Sequence, residues 1–459
     1  YTGVIRHATC TDYSAFGIAR DNAEVVKGNA GSPYAIKDYY DIDPDLAVNV
    51  PERMKEFEQL VERTHRSGLK MIMDFVPNHV ARQYHSDSKP AGVKDLGETD
   101  NTELAFSAQN NFYYIPNESL HLDNIIGNKA SYIETPARVS GNDVFNAWPS
   151  INDWYETIKL NYGIDYQNGR STHFSPIPDT WKKMTEILLF WAGKGVDGFR
   201  CDMAEMVPVE YWNYAIAQVK KQHPELKFIA EVYNPGEYRN YIHTGGFDYL
   251  YDKVGLYDTL RSIVRGENSA TAITHCWQAT DDIQDHMLHF LENHDEQRIA
   301  SPFFVGNAEK ALPALVVSAT LDKAPMMIYA GQEIGEKGMG NEGFSGEDGR
   351  TTIFDYWGVP SYQKLIRGIK YLDKDEAKLY TFYRSIIKII NSSEAIREGK
   401  KFDLMYANDA SQNFNPHRTF AMLRSTGEKT ALIIANFADT EQKLCINIPS
   451  AALDRKSVV

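Results

Sequence analysis

Short β-rich runs that end in polar or charged residues, each followed by a stretch of helical periodicity, recur along most of this chain and constrain its fold more than any other feature. Leu69 to Val76 leads into Asp74-Phe75-Val76-Pro77-Asn78-His79, Val196 runs to Asp202, and Lys227 to Val232 carries Glu231. Further runs are Phe247 to Lys253, His286 to Leu291 leading into Glu292-Asn293-His294-Asp295, and Pro325 to Ala330. Between them, Met54, Phe57, Leu60, Val61 and Thr64 repeat at helical spacing, with Pro51 in the first turn and Gly68 past the last. Asp179 is expected to cap a helix whose apolar face is Trp181, Met184, Ile187, Leu188 and Trp191. Strands separated by helices make a parallel sheet. Tyr1 to Ile5 reads as the tail of one more strand, and one further unit upstream would close a (β/α)8 barrel, a TIM barrel. The barrel's first strand and first helix are therefore expected to lie before Tyr1 in the native protein.

Three stretches depart from the alternation. From Arg6 to about Val48 the chain is rich in Gly, Asp and Tyr and reads as a long loop. Residues 80–178 are polar with scattered aromatics, too long for a structureless connection, and are expected to form a subdomain inserted after barrel strand 3. Beyond Gly399 short alternating runs, Phe402 to Tyr406, Thr419 to Arg424, Thr430 to Phe437 and Lys443 to Ile448, point to an antiparallel β domain. The expected organisation is a catalytic barrel over 1–79 and 179–392, the insert over 80–178, and a C-terminal β-sandwich over 393–459, its completeness at Val459 left open.

A net charge of −14 without clustered Lys or Arg argues against a nucleic-acid partner. Four cysteines, Cys10, Cys201, Cys276 and Cys445, lack metal-ligand spacing and suggest no disulfide framework. No apolar run is long enough to span a bilayer. The chain begins without Met or a signal-like segment, so localisation is open.

In a barrel of this kind the C-terminal ends of the strands converge on one site, so the polar groups there are the ones to collect. They are Asp74, Asn78 and His79, then Arg200 and Asp202, then Glu231, then His294 and Asp295. Arg200 and Asp202 lie two apart on a strand and share a face. A guanidinium that close keeps a carboxylate charged, which suits attack on carbon. Glu231 has no basic neighbour in sequence and sits in an apolar run, surroundings in which a carboxyl keeps its proton to higher pH. Cleavage of a glycosidic bond with retention needs such a pair, a nucleophile and an acid about 5–5.5 Å apart.

The set Asp74-Phe-Val-Pro-Asn-His79, Gly198-Phe-Arg-Cys-Asp202, Ala230-Glu231-Val232 and Glu292-Asn-His-Asp295 resembles the four ordered motifs of the alpha-amylase family, glycoside hydrolase family 13. Pro178-Asp179 and Tyr34 to Asp38-Tyr39 are weaker matches. The resemblance implies Asp202 as nucleophile, Glu231 as general acid/base and Asp295 as transition-state stabiliser. It implies a substrate-binding set in which Arg200 orients Asp202, His79 and His294 hydrogen-bond the sugar, Tyr34 stacks on it, and Asp74 completes the group. The substrates implied are starch-like α-glucans or malto-oligosaccharides.

Departures bear on detail. Many starch-degrading members carry Lys-His where this chain has Glu205-Met206, which weakens both a simple alpha-amylase assignment and a calcium site. Asn78 occupies the position of a calcium ligand in the family and equally suits a hydrogen-bonding strap for the insert. No cofactor is required by the pattern, and calcium at Asn78 is the one metal it leaves open. Transglycosidases of the family, 4-α-glucanotransferases among them, share the covalent intermediate and differ in what attacks it. A catalytically silent carbohydrate-binding barrel is disfavoured because Asp202, Glu231 and Asp295 are all present. A barrel enzyme with a metal at its strand ends is disfavoured by Arg200.

Overall fold

Where the sequence alternates most regularly, the chain builds parallel strands followed by helices. A computed structural model describes residues 1–127, 129–411 and 413–452. The chain divides into two units, the first comprising Tyr1–Val232, Gly236–Asp248 and Ile353–Tyr356, the second Tyr233–Pro235, Tyr249–Thr352 and Trp357 onward.

In the first unit β1 (Ile5–His7) pairs antiparallel with β2 (Ile36–Ile42). By its sequence that stretch is expected to be loop, because Lys37, Asp38 and Asp41 break its apolar pattern. All of β2 is nevertheless buried, and its charges are partnered inside. Lys37 pairs with Asp21 at 2.7 Å, Arg53 grips Asp41 through Nε and Nη2 at 2.7 Å each, and Asp38 accepts the N–H groups of Asp87 and Ser88. Paired charges can enter a core that lone ones cannot. Helix α1 (Arg53–Arg66) buries Phe57 and Val61 and ends at Gly68, whose φ of 73° suits a residue without Cβ. Then come β3 (Ile72–Phe75) and β4 (His79–Ala81).

Residues 80–178 carry short elements: β5 (Tyr114–Ile115), α2 (Asp123–Ile126), β6 (Ala137–Arg138), β7 (Thr157–Lys159), β8 (Ile164–Asp165) and β9 (Ser171–Thr172). β5 pairs with β6, β8 with β9, and β7 with β4, all antiparallel. Helix α3 (Asp179–Gly193) follows. Asp179 is its first helical residue rather than its cap. Pro178 takes the cap position, and the Asp179 carboxylate instead accepts from Asn111 at 3.1 Å and pairs with Lys183 at 2.9 Å. β10 (Gly198–Cys201), α4 (Val209–Gln222) and β11 (Lys227–Ala230) complete the frame of this unit.

β10 lies between β3 and β11, parallel to both, with Arg200 in register with Asp74 on one side and Ile229 on the other. Beneath the strand ends, Phe75, Phe199 and Phe228 are fully buried, with successive ring centroids 6.0 and 5.7 Å apart. Gly198 permits this close approach, since a Cβ there would meet Ile72 and the Lys227 carbonyl at 2.6 Å each.

The second unit holds β12 (Tyr249–Tyr251), α5 (Asp258–Val264), α6 (Ala272–Ala279), β13 (Met287–Phe290), α7 (Leu312–Thr320) and β14 (Met326–Met327). β13 runs parallel to β12 and β14. Between β12 and β13 the chain forms a π-helical turn at Lys253–Tyr257, then α5 and α6, with Gly266 at a φ of 80° between the two helices. The strand expected at Pro325 to Ala330 shrinks to two residues. Residues 331–368 contain α8 (Pro360–Arg367), and after it come α9 (Lys374–Ser392) and α10 (Glu394–Glu398). Asp373 and Glu376 close a reciprocal capping box on α9. An antiparallel sheet β15 (Lys400–Asp403), β16 (Thr419–Ser425) and β17 (Thr430–Asn436) ends the unit, in that spatial order. Lys443 to Ile448 forms no strand among the described residues. Of the expected 80–178 and 393–459 segments, Asn128, Gln412 and residues 453–459 lie outside the described residues.

Candidate active site

Strand register alone gathers the chemistry of the first unit. Asp74 and Arg200 are side by side, and alternation returns Asp202 to the face of Arg200 two residues later. Glu231 stands two residues beyond Ile229, the register partner of Arg200 on β11. The ladder continues past the strand ends through Asp202 N–H to the Phe75 carbonyl at 2.9 Å and Glu231 N–H to the Cys201 carbonyl at 3.1 Å.

Arg200 is the hub. Its Nη1 donates to Asp74 Oδ1 at 3.1 Å and to Asp202 Oδ1 at 2.9 Å, and its Nη2 is 3.0 Å from Glu231 Oε2. All four side chains are buried. Nη1 and Nη2 of one guanidinium thus bring the Asp202 and Glu231 carboxylates to the same strand mouth. The expected isolation of Glu231 from basic groups is thus corrected. Arg200 is 31 positions away in sequence but adjacent across the β10–β11 pairing. Glu231 Oε2 also accepts the Met203 N–H at 2.7 Å. Met203 adopts φ 42°, ψ 42°, a left-handed conformation that costs an L-residue about 1–2 kcal/mol. The turn after Asp202 thereby aims a backbone donor at the second carboxylate, and such conformations cluster at functional sites.

Tyr34 and Asp74 support this hub. The Tyr34 hydroxyl donates to Asp74 Oδ2 at 3.1 Å and its ring centroid is 5.8 Å from the Arg200 guanidinium carbon, within cation–π range. Thr2 also donates to Asp74 Oδ2, at 3.1 Å. Nothing in its sequence context singled Thr2 out.

Asn78 and His79 join a second cluster, at the junction with residues 80–178. Asn78 Oδ1 accepts from Lys159 Nζ at 2.9 Å, while its Nδ2 donates to the Gly141 carbonyl at 2.8 Å and lies 3.2 Å from His79 Nδ1. His79 sits on β4 opposite Lys159 on β7, with its ring 5.1 Å from that of Trp154. A neighbouring carboxylate, the usual partner of a buried imidazole, is not what it finds. Its partners are Asn78 and the Tyr34 backbone. Burial, with repulsion from Lys159 and Lys27 added, pushes the His79 imidazole down to about 3, so it is neutral near pH 7.

His294 and Asp295 belong to the second unit, where His294 Nε2 is 3.1 Å from Asp295 Oδ2. The Asn293 side chain fixes this turn by accepting the N–H groups of Asp295 and Glu296 at 2.9 Å each. Glu292 anchors it from below, accepting from Arg298 at 2.9 Å and from the Ile299 N–H at 2.7 Å, and Arg298 lies over the Tyr329 ring at 3.9 Å. Burial raises the Glu292 carboxyl above its ordinary range, against the pull of Arg298. Glu292 is a buried anchor for the Asp295 turn.

Among the described residues, no group of three or more His, Cys, Asp or Glu is arranged to hold a metal, and no helix is long and apolar enough to cross a membrane.

A family model described as the alpha-amylase catalytic domain matches residues 26–356. The chain is 25% identical over 390 residues to Alpha-amylase 3 of Dictyoglomus thermophilum, covering 80% of this chain and 68% of that protein. To Alpha-amylase 2 of the same organism it is 22% identical over 432 residues, covering 92% of this chain and 61% of that one. Among solved structures, the maltogenic alpha-amylase AmyB of Thermotoga neapolitana superposes with a TM-score of 0.59 at 21% identity, covering 94% of this chain and 76% of that one. The fold these matches carry is the TIM barrel, of which the parallel strands described above are part.

Proposed function

The chain belongs to the alpha-amylase family, and from that membership we propose that it is a retaining glycoside hydrolase that cleaves α-glucosidic bonds in starch-like glucans or malto-oligosaccharides. The observation that carries this reading is Arg200, which holds the Asp202 and Glu231 carboxylates together at adjacent strand ends. Asp202 attacks the anomeric carbon and forms a glycosyl ester. Arg200 orients it and keeps it charged. Glu231 protonates the departing oxygen and then takes a proton from the incoming water. Its Oε2 accepts from a backbone N–H and a guanidinium, so the transferable proton is assigned to Oε1.

Asp295 stabilises the oxocarbenium-like transition state, and His294, whose Nε2 lies 3.1 Å from Asp295 Oδ2, hydrogen-bonds the sugar, as does His79. Tyr34 offers a ring face to the sugar, while Asp74 ties Tyr34 to Arg200. In this reading residues 80–178 are a subdomain inserted in the barrel, and the sheet β15–β17 follows the barrel within the second unit.

Incubation with maltoheptaose, pullulan and trehalose, with proton NMR of the earliest products, tests the proposal. Shorter malto-oligosaccharides released in the α-configuration are the expected result. Products longer than the substrate would instead assign glycosyl transfer, release in the β-configuration would contradict the double displacement, and inertness on all three would remove the starch-like substrate class.

A further inference from the structure

Lys159 is a buried cation beside Asn78, the residue at which the family resemblance leaves calcium open, where the strand mouth meets residues 80–178. Its ammonium is 2.9 Å from Asn78 Oδ1 and 2.5 Å from Asp143 Oδ1, and lies 5.2 Å from the Tyr166 ring centroid. Only 1% of the residue is exposed. Asn78 comes from the turn between β3 and β4. Asp143 and Tyr166 lie in the 80–178 segment, and Lys159 reaches them from β7. The charge therefore draws an amide oxygen, a carboxylate and a ring face from separate stretches of chain onto one point. Asp143 is held at a φ of 68°, uncommon for a residue with a side chain, so its surroundings hold it in place.

Calcium does not fit here. It takes six to eight oxygens at about 2.3–2.6 Å, and the two oxygens that converge already surround an ammonium that would repel a dication bound to either. Lysine is also a donor only, and this fixes the Asn78 amide. The oxygen must face Nζ, so Nδ2 faces Gly141 and His79. An amide nitrogen only donates, which makes His79 Nδ1 an acceptor and puts the imidazole proton on Nε2.

We propose that Lys159 is a positioning residue that takes the place of a metal ion, clamping residues 80–178 to the strand mouth and setting, through Asn78, the orientation and tautomer of the sugar-binding His79. The effect on sugar binding rests on the proposed function, while the metal replacement does not.

Thermal melts of the full chain in EDTA and in millimolar calcium chloride test the replacement. Superimposable curves are expected, and a melting temperature that falls in EDTA and recovers with calcium would overturn it. Lys159→Met then tests positioning. On a malto-oligosaccharide, KM is expected to rise about tenfold with kcat little changed, the size typical for partners that orient a ligand-binding His, and Asn78→Ala added to it should cost little more, because both changes break one chain of contacts. Unchanged KM in Lys159→Met, or full additivity of the two changes, would contradict the positioning role. If that variant fails to fold, the wild-type chain labelled with 15N-histidine still decides the tautomer, and a protonated Nδ1 at His79 would overturn the role. An enzyme inert on every glucan would sink the functional reading yet leave the melts and the tautomer to decide this one.

Discussion

Two buried cations in the first unit, Arg200 at the strand ends and Lys159 at the root of residues 80–178, are deployed in contrasting ways. Arg200 serves three carboxyl groups at once, those of Asp74, Asp202 and Glu231, whereas Lys159 faces one carboxylate, one amide oxygen and one aromatic ring. A planar guanidinium presents several donors in a fixed fork and can address carboxylates on different sides. An ammonium is a point charge that binds whatever surrounds it. The Arg200 cluster therefore keeps an excess of acidic groups, as a site that stabilises a developing positive charge requires. The Lys159 cluster is balanced, and a balanced cluster fastens. Charge imbalance, rather than burial or charge itself, separates the reacting site from the strap.

The comparison breaks first at Asp202. Asp202→Asn removes the attacking oxygen but little volume, so turnover should fall by several orders of magnitude with an unchanged circular dichroism spectrum. Near-normal turnover would leave Arg200 as a structural hub only. Next in size is Arg200→Lys. An ammonium keeps the charge but cannot span Asp202 and Glu231, and misplacing the carboxylates by an ångström or so should cost about 10²-fold in kcat. Equal activity would show that charge alone suffices there, as it does at Lys159. The smaller loss expected for Lys159→Met, in KM rather than kcat, is the counterpart of these two.

A further effect, on stability rather than turnover, is a pH dependence. The folded state holds His79 down to about 3, below its ordinary value near 6.5. Above pH 6.5 the imidazole is neutral in both states and its contribution is fully present. As pH falls from 6.5 toward 3 the unfolded chain takes up a proton that the native state refuses. Stability is then lost at up to about 1.4 kcal/mol per pH unit. His79→Gln should flatten that part of a urea-denaturation profile, and an unaltered slope would show that the native state protonates this imidazole.

Much of this was legible in the sequence, for a geometric reason. Arg200 and Asp202 are two apart on one strand, so their shared face follows from the period of a strand. The parallel strands β3, β10, β11, β12 and β13 stand where apolar runs meet polar ends, and α1, α3, α4 and α9 where apolar residues recur at helical spacing. What escaped depends on pairing across long separations. The Arg200 contact to Glu231 follows from the β10–β11 register, and the Lys159 contact to Asn78 from the β4–β7 register, neither of which the local pattern contains. β2 escaped because its Lys37, Asp38 and Asp41 look solvated until Asp21, Arg53 and the Asp87 backbone are placed beside them.

The central claim is that Asp202 forms the covalent bond to sugar, and trapping tests it most directly. Incubation with 5-fluoro-α-glucosyl fluoride, a slow substrate whose glycosyl ester persists, followed by proteolysis and peptide mass mapping, should place one sugar on the peptide that contains Asp202, and none in Asp202→Asn. A sugar found on Glu231 or Asp295, or rapid turnover of the reagent with no adduct at all, would contradict the account.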